Sequence, residues 1–184
     1  MDIIAYGPLE DLIGTWTGDK GMDIAPEPDG TEENPYHETI IFEAIGTVKN
    51  AREQELSILR YHQEVIEKST EEQFHDEVGY LTWEPETKVV TLSFTIPRHV
   101  TVIAGGQVSD EAPNSPIMLS AALDDPNWPI SQAPFMRDNA KTTAFSRVLS
   151  VDGDTLIYSQ TTSLDIYGRA FEHTDGNSLK RVDD

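Results

Sequence analysis

The 184-residue sequence predicts an all-β fold, a closed antiparallel β-barrel of about ten strands with a short helical turn near its start. Three observations lead there. Most of the chain alternates apolar and polar residues at period two and is rich in Val, Ile, Thr, Tyr and Phe. Turn signals separate several of these runs. About ten sequential strands in one sheet must either close or expose edges, which favours a barrel over an open sheet.

Taken in order, "GPLEDLIG" (residues 7–14) is the one stretch that reads as helical, with Pro8 suited to a first turn. Candidate strands follow at 14–19, 37–46, 54–66, 72–84, 87–96, 99–109, 115–122, 141–151, 154–164 and 177–183. Turns are expected at Glu84-Pro85-Glu86-Thr87, at Ala112-Pro113-Asn114 and at Asp152-Gly153, the last a strong hairpin signal. Two segments interrupt the rhythm of a single domain spanning 1–184. Residues 19–38 hold seven acids and three prolines and read as a solvated loop; Asp29-Gly30 lies in no EF-hand order, which argues against calcium. Residues 123–140 set Pro126, Pro129 and Pro134 among Trp128, Phe135 and Met136, a loop expected to pack over the core rim or a cavity mouth.

The charge balance narrows the function. With 33 Asp and Glu against 13 Lys and Arg, the formal charge is −20. Such a surface repels phosphate backbones and anionic lipids, so no nucleic acid and no membrane are expected as partners. The absence of cysteine removes disulfides, Cys-ligated zinc, iron–sulfur clusters and thiol catalysis. The opening MDIIAYGPLEDL has no basic segment followed by an apolar run, and no stretch approaches the roughly 20 apolar residues of a membrane helix. A cytoplasmic protein is the expectation.

Three places carry candidate chemistry. In "GTWTG" (14–18), Trp16 is either an ordinary core residue or a plug at one barrel end, stacked on by Arg181 or Lys180. In "FHDEVGYL" (74–81), His75, Glu77, Gly79 and Leu81 share one strand face. His75 is then either part of a solvated edge or a polar group aimed into a cavity. Arg147 shares a face with Phe145, Leu149 and Val151 and must be paired if that face is interior. Its partner is either an interior carboxylate such as Glu77 or the carboxylate of a bound fatty acid.

Assembled in order, "LIGTWTGDKG", "ETIIFE", "LRYHQ", "FHDEVGYL", "GDTLIY" and "EHTDGNSLKRV" resemble the nitrobindin family over nearly the whole chain. These are haem-binding β-barrels similar to fatty-acid-binding proteins and lipocalins, found also as the C-terminal domain of certain THAP proteins. The resemblance implies His173 as the proximal ligand of haem iron and His75, in the H-x-E-x-G-Y motif, as the distal histidine and candidate catalytic residue. It places Thr39 and Ile40 beside the haem and Trp16 at the barrel end, and Gly79 would let a flat macrocycle approach the strand. It also implies haem b, nitric oxide binding and peroxynitrite isomerisation. The chain departs from the family pattern in the long segment 22–38 and in His173-Thr174-Asp175-Gly176. The alternative function is a lipocalin-like carrier or sensor of a small apolar ligand without haem. Either way the partner is a small molecule in the barrel cavity, with a homodimer as a further option.

Overall fold

The computed structural model describes residues 4–109 and 115–182. A 3-10 turn at Gly7–Leu12, with Pro8 in its first turn, buries Leu9 and Leu12 against the sheet. The strands are β1 (Gly14–Glu27), β2 (Gly30–Asn50), β3 (Gln54–Glu67), β4 (Gln73–Glu84), β5 (Val89–Ile96), β6 (Val100–Gln107), β7 (Ile117–Ala122), β8 (Ile130–Gln132), β9 (Ala140–Asp152), β10 (Thr155–Ile166) and β11 (Arg169–Arg181). One short helix, α1 (Pro134–Asn139), precedes β9.

Ten of these strands close a ring. β1 to β6 pair in sequence, β6 joins β7, β7 joins β9, and β9, β10 and β11 return to β1; β8 lies beside β6 near its start. The strand ladders named are antiparallel, so the fold is the closed barrel that the period-two pattern predicts. In β3, Ser57, Leu59, Tyr61, Gln63 and Val65 face inward; in β5, Val90, Leu92 and Phe94 do. The hairpin expected at Asp152-Gly153 joins β9 to β10. The turn expected at Ala112-Pro113-Asn114 lies outside the described residues.

Residues 19–38 are not a loop. They are the outer half of a long hairpin, in which β1 continues to Glu27 and β2 begins at Gly30. A register shift between Gly18 and Gly21 explains why the sequence hides it. The shift changes which residue parity faces inward, so Trp16 is followed on the inner face by Gly18, Gly21 and Asp23 rather than by large apolar residues. Gly21 is small for a physical reason: a Cβ there would strike the ring of Tyr36, its cross-strand neighbour. The closing strand likewise starts earlier than expected, at Arg169, and takes His173 into the sheet opposite Thr162. The inner face of its first half sets His173 and Asp175 beside a lone Phe171, so apolar alternation does not mark it. Residues 123–140 stay largely irregular but contribute β8 and α1.

The two ends of the barrel differ. At one end Trp16 is fully buried, donates its indole N–H to the Leu12 carbonyl at 2.7 Å, and carries the Arg181 guanidinium 4.1 Å from its ring centre. Arg181 also donates to the carbonyls of Asp11 and Ile13, which ties the closing strand to the N-terminal turn. Lys180 instead bonds Thr155. Around this plug Leu9, Leu12, Leu59, Leu81, Leu92, Leu156 and Leu179 form an apolar core. Toward the other end, where Asp23 and His173 lie, the inner faces become polar.

Candidate functional site

The middle of the lumen is filled by paired charge. Arg147 on β9 donates through Nη1 to Glu77 Oε1 at 2.8 Å and through Nη2 to Oε2 at 3.2 Å, and its Nε donates to Gln160 Oε1 at 2.6 Å. Tyr61 adds its hydroxyl to Glu77 Oε1 at 2.5 Å. The guanidinium lies over the rings of Phe94, Phe145 and Tyr158. Burial alone would push the Glu77 carboxyl up, but Arg147 and His75 outweigh it and hold it at about 2. Arg147 has thus taken the interior carboxylate and has no fork left for a fatty acid.

A second cluster surrounds Glu38 on β2. Gln63 and Tyr158 donate to Oε2 at 2.7 and 3.1 Å, Asn177 donates to Oε1 at 2.9 Å, and the hydroxyls of Tyr36 and Tyr158 are 2.7 Å apart. Burial pushes the Glu38 carboxyl up to about 7, against the lowering effect of the three donors. The gap between the two clusters, bounded by Ile40, Phe42, Tyr61, Leu81 and Leu149 among others, measures about 10 Å³. That is room for about one water molecule, whereas small-molecule pockets run to roughly 300–1,000 Å³. This gap holds neither an acyl chain nor a macrocycle.

The open chemistry lies at the polar end. His173, on the inner face of β11, donates its Nε2–H to Asp23 Oδ1 at 2.5 Å. Its Nδ1 has no hydrogen-bond partner among the described residues. Asp175, two residues on and therefore on the same face, is the direct cross-strand neighbour of Asp23. Asn34 Nδ2 donates to Asp23 Oδ2 at 3.2 Å, and Gln160 Nε2 donates to Asp175 Oδ2 at 3.1 Å. Burial pulls the His173 imidazole down, but the bond to Asp23 and the charges of Asp23 and Asp175 outweigh it and raise its pKa. Burial pushes Asp175 up to about 6, against Arg147, His173 and His75.

The residues expected at a site are not all brought together. His75 does face inward from β4, with Nε2 3.6 Å from Glu77 Oε2. Gly79 shares that face, but a Cβ there would strike the Ser93 carbonyl and Phe94 of β5, so strand pairing already accounts for the missing side chain. Ile40 pairs with Trp16 and belongs to the apolar core. Thr39, its neighbour, alternates to the outer face. Sequence reasoning missed Asp23, Asp175 and Glu38. The available signal was the two-residue spacing of His173 and Asp175, which puts both on one strand face.

Fold and site together define a ligand-binding closed β-barrel with its polar chemistry at one end. Residues 5–181 match the family model of the THAP4-like, heme-binding beta-barrel domain, and the chain belongs to that family. The crystal structure of Rv2717c from M. tuberculosis superposes with a TM-score of 0.71 at 24% identity, covering 99% of this chain and 100% of that one. No curated protein matches the chain. Among the described residues no helix is long and apolar enough to cross a membrane.

The residues at the polar end fit an iron-bound imidazole. The chemistry of His173, one nitrogen anchored to a carboxylate and the other open, is that of a supported metal ligand.

Proposed function

We propose that the protein binds ferric haem non-covalently at the polar mouth of the barrel, where His173 would hold the iron. The observation that carries this reading is a half-buried imidazole with one ring nitrogen held by Asp23 and the other without a hydrogen-bond partner among the described residues. Membership of a haem-binding barrel family supports it. A carboxylate on the second ring nitrogen fixes the tautomer and orientation of a metal-bound histidine and raises its basicity. The chain has no cysteine for thioether attachment, which favours haem b.

When bound, ferric haem would supply a coordination position open to small molecules such as nitric oxide or peroxynitrite. The chain's own residues have distinct tasks. Asp23 holds the proton on Nε2 of His173 and so keeps Nδ1 as the lone-pair donor. His75 faces the same lumen from β4, where a neutral or protonated imidazole can donate a hydrogen bond or hold water. Peroxynitrite isomerisation with His75 as the catalytic residue is the finer form of this proposal, and it rests on the resemblance of the H-x-E-x-G-Y motif.

Hemin titrated into the wild type and His173→Ala, followed at the Soret band, tests the ligand. The wild type should show a saturable, red-shifted band that His173→Ala lacks. Equal spectra and affinities in the two proteins would remove His173 from the site.

A further inference from the structure

We propose that the same mouth is a site for one divalent first-row transition-metal ion, held by Asp23, His173 and Asp175. One ligand atom from each of the three residues lies within 4.8 Å of the others. Two carboxylates and an imidazole are a donor set suited to Zn²⁺, Mn²⁺, Fe²⁺ or Co²⁺.

Three features separate this cluster from an ordinary acidic surface. First, Asp23 and Asp175 are direct cross-strand neighbours on the inner face, where like charges repel at short range. Arg147, a permanent cation near Asp175, is bonded to the Glu77 carboxylate and hydrogen-bonds toward Asp175 only by way of Gln160. A divalent ion would bring the two carboxylates to neutrality.

Second, each carboxylate is oriented from outside the cluster. Asn34 on β2 holds Oδ2 of Asp23, and Gln160 on β10 holds Oδ2 of Asp175. Oδ1 of Asp23 is thereby left to His173, and Oδ1 of Asp175 bonds none of the described residues. Amide donors on the outer oxygens are the support that metal-binding carboxylates receive in built sites. Third, the histidine supplies a nitrogen donor, and the proton between His173 and Asp23 stands where a cation would, to be released on metal binding.

The inference does not depend on haem. It assigns His173 a second occupant, bound on the side of the ring that faces Asp23. The test uses the full chain, freed of metal by dialysis against a chelator. Zn²⁺ alone is titrated by calorimetry, and Co²⁺ alone is followed by its visible absorption. The wild type should take one saturating equivalent, with proton release. Asp175→Asn and Asp23→Asn should each bind at least tenfold more weakly, and His173→Ala should lose the Co²⁺ nitrogen-donor spectrum. Glu86→Gln, in the exposed turn between β4 and β5, should bind as the wild type does.

Absence of saturable binding, or equal affinity in the wild type and Asp175→Asn, overturns the proposal. If either Asp variant does not fold, the thermal midpoint of the wild type decides: it should rise with Zn²⁺ and not with Mg²⁺, and no rise overturns the site. Hemin added to the same proteins separates this claim from the haem reading. Wild type that takes hemin but not Zn²⁺ sinks the metal site alone. Wild type that takes Zn²⁺ but not hemin supports it and sinks the haem reading alone.

Discussion

Arg147 and Glu77 form a two-point ion pair across the centre of the barrel, with nitrogen–oxygen distances of 2.8 and 3.2 Å. Both side chains are almost completely buried. Their pairing leaves the lumen without an anchor for an acyl carboxylate.

Removing one member should therefore cost far more than removing both. Arg147→Met leaves Glu77 buried and uncompensated, a loss of about 3–5 kcal/mol. The double variant Arg147→Met with Glu77→Gln should recover at least about 1 kcal/mol of that loss. Urea denaturation of the three proteins measures both quantities. Equal stability of the single and double variants would show that the pair contributes no coupling.

The two buried carboxylates predict opposite pH limbs. Glu38 has a folded-state pKa raised from 4.5 to about 7, so the folded chain binds more protons than the unfolded one in that interval. Its contribution is present below pH 4.5 and is lost as pH rises through about 7. Glu77 has its pKa lowered to about 2, so its contribution is present above 4.5 and is lost as pH falls toward 2. Glu38→Gln should flatten the neutral limb, gaining stability relative to wild type between pH 5 and 8, as read by denaturation at both values. A wild-type difference that Glu38→Gln reproduces unchanged would assign the limb to another group.

At the mouth, Asp23→Asn should keep haem uptake but weaken it by about 10–100-fold, the usual effect of losing a carboxylate behind a metal-bound histidine. The Soret position should shift as the imidazole becomes less basic. His75→Ala should retain the bound-haem spectrum and change reactivity toward nitric oxide or peroxynitrite. Loss of haem in His75→Ala as complete as in His173→Ala would make both histidines axial ligands.

At the closed end, Arg181→Met removes the cation over Trp16 and two donors to the carbonyls of Asp11 and Ile13. A loss of about 1–2 kcal/mol is expected from the stacking and hydrogen bonds together. Arg181→Lys should retain part of it, because a lysine keeps the charge without the planar fork. Thermal melts followed by tryptophan fluorescence would report both, and a melt unchanged in Arg181→Met would rule out a stabilising role for the stack.

Period-two alternation determined much of this protein by itself. It set the strands from β3 to β6 to within about two residues, and it placed Arg147 on an inner face where a buried charge demands a partner. The glycine-flanked tryptophan and the basic residues near the chain end offered the Trp16 plug as one of two readings, and the structure selects it with Arg181 rather than Lys180 on the ring. Alternation reports which face a residue takes, not what stands opposite it across a closed barrel. It failed where the inner face is polar or the register shifts, in the outer half of β1 and β2 and the first half of β11. Only tertiary structure made Asp23 and Asp175 neighbours, since they are 152 positions apart and meet through barrel closure. Whether the lumen is hollow was likewise decided in three dimensions: Tyr61, Glu77, Arg147 and Tyr158, from four different strands, meet in the middle and leave no room for a ligand there.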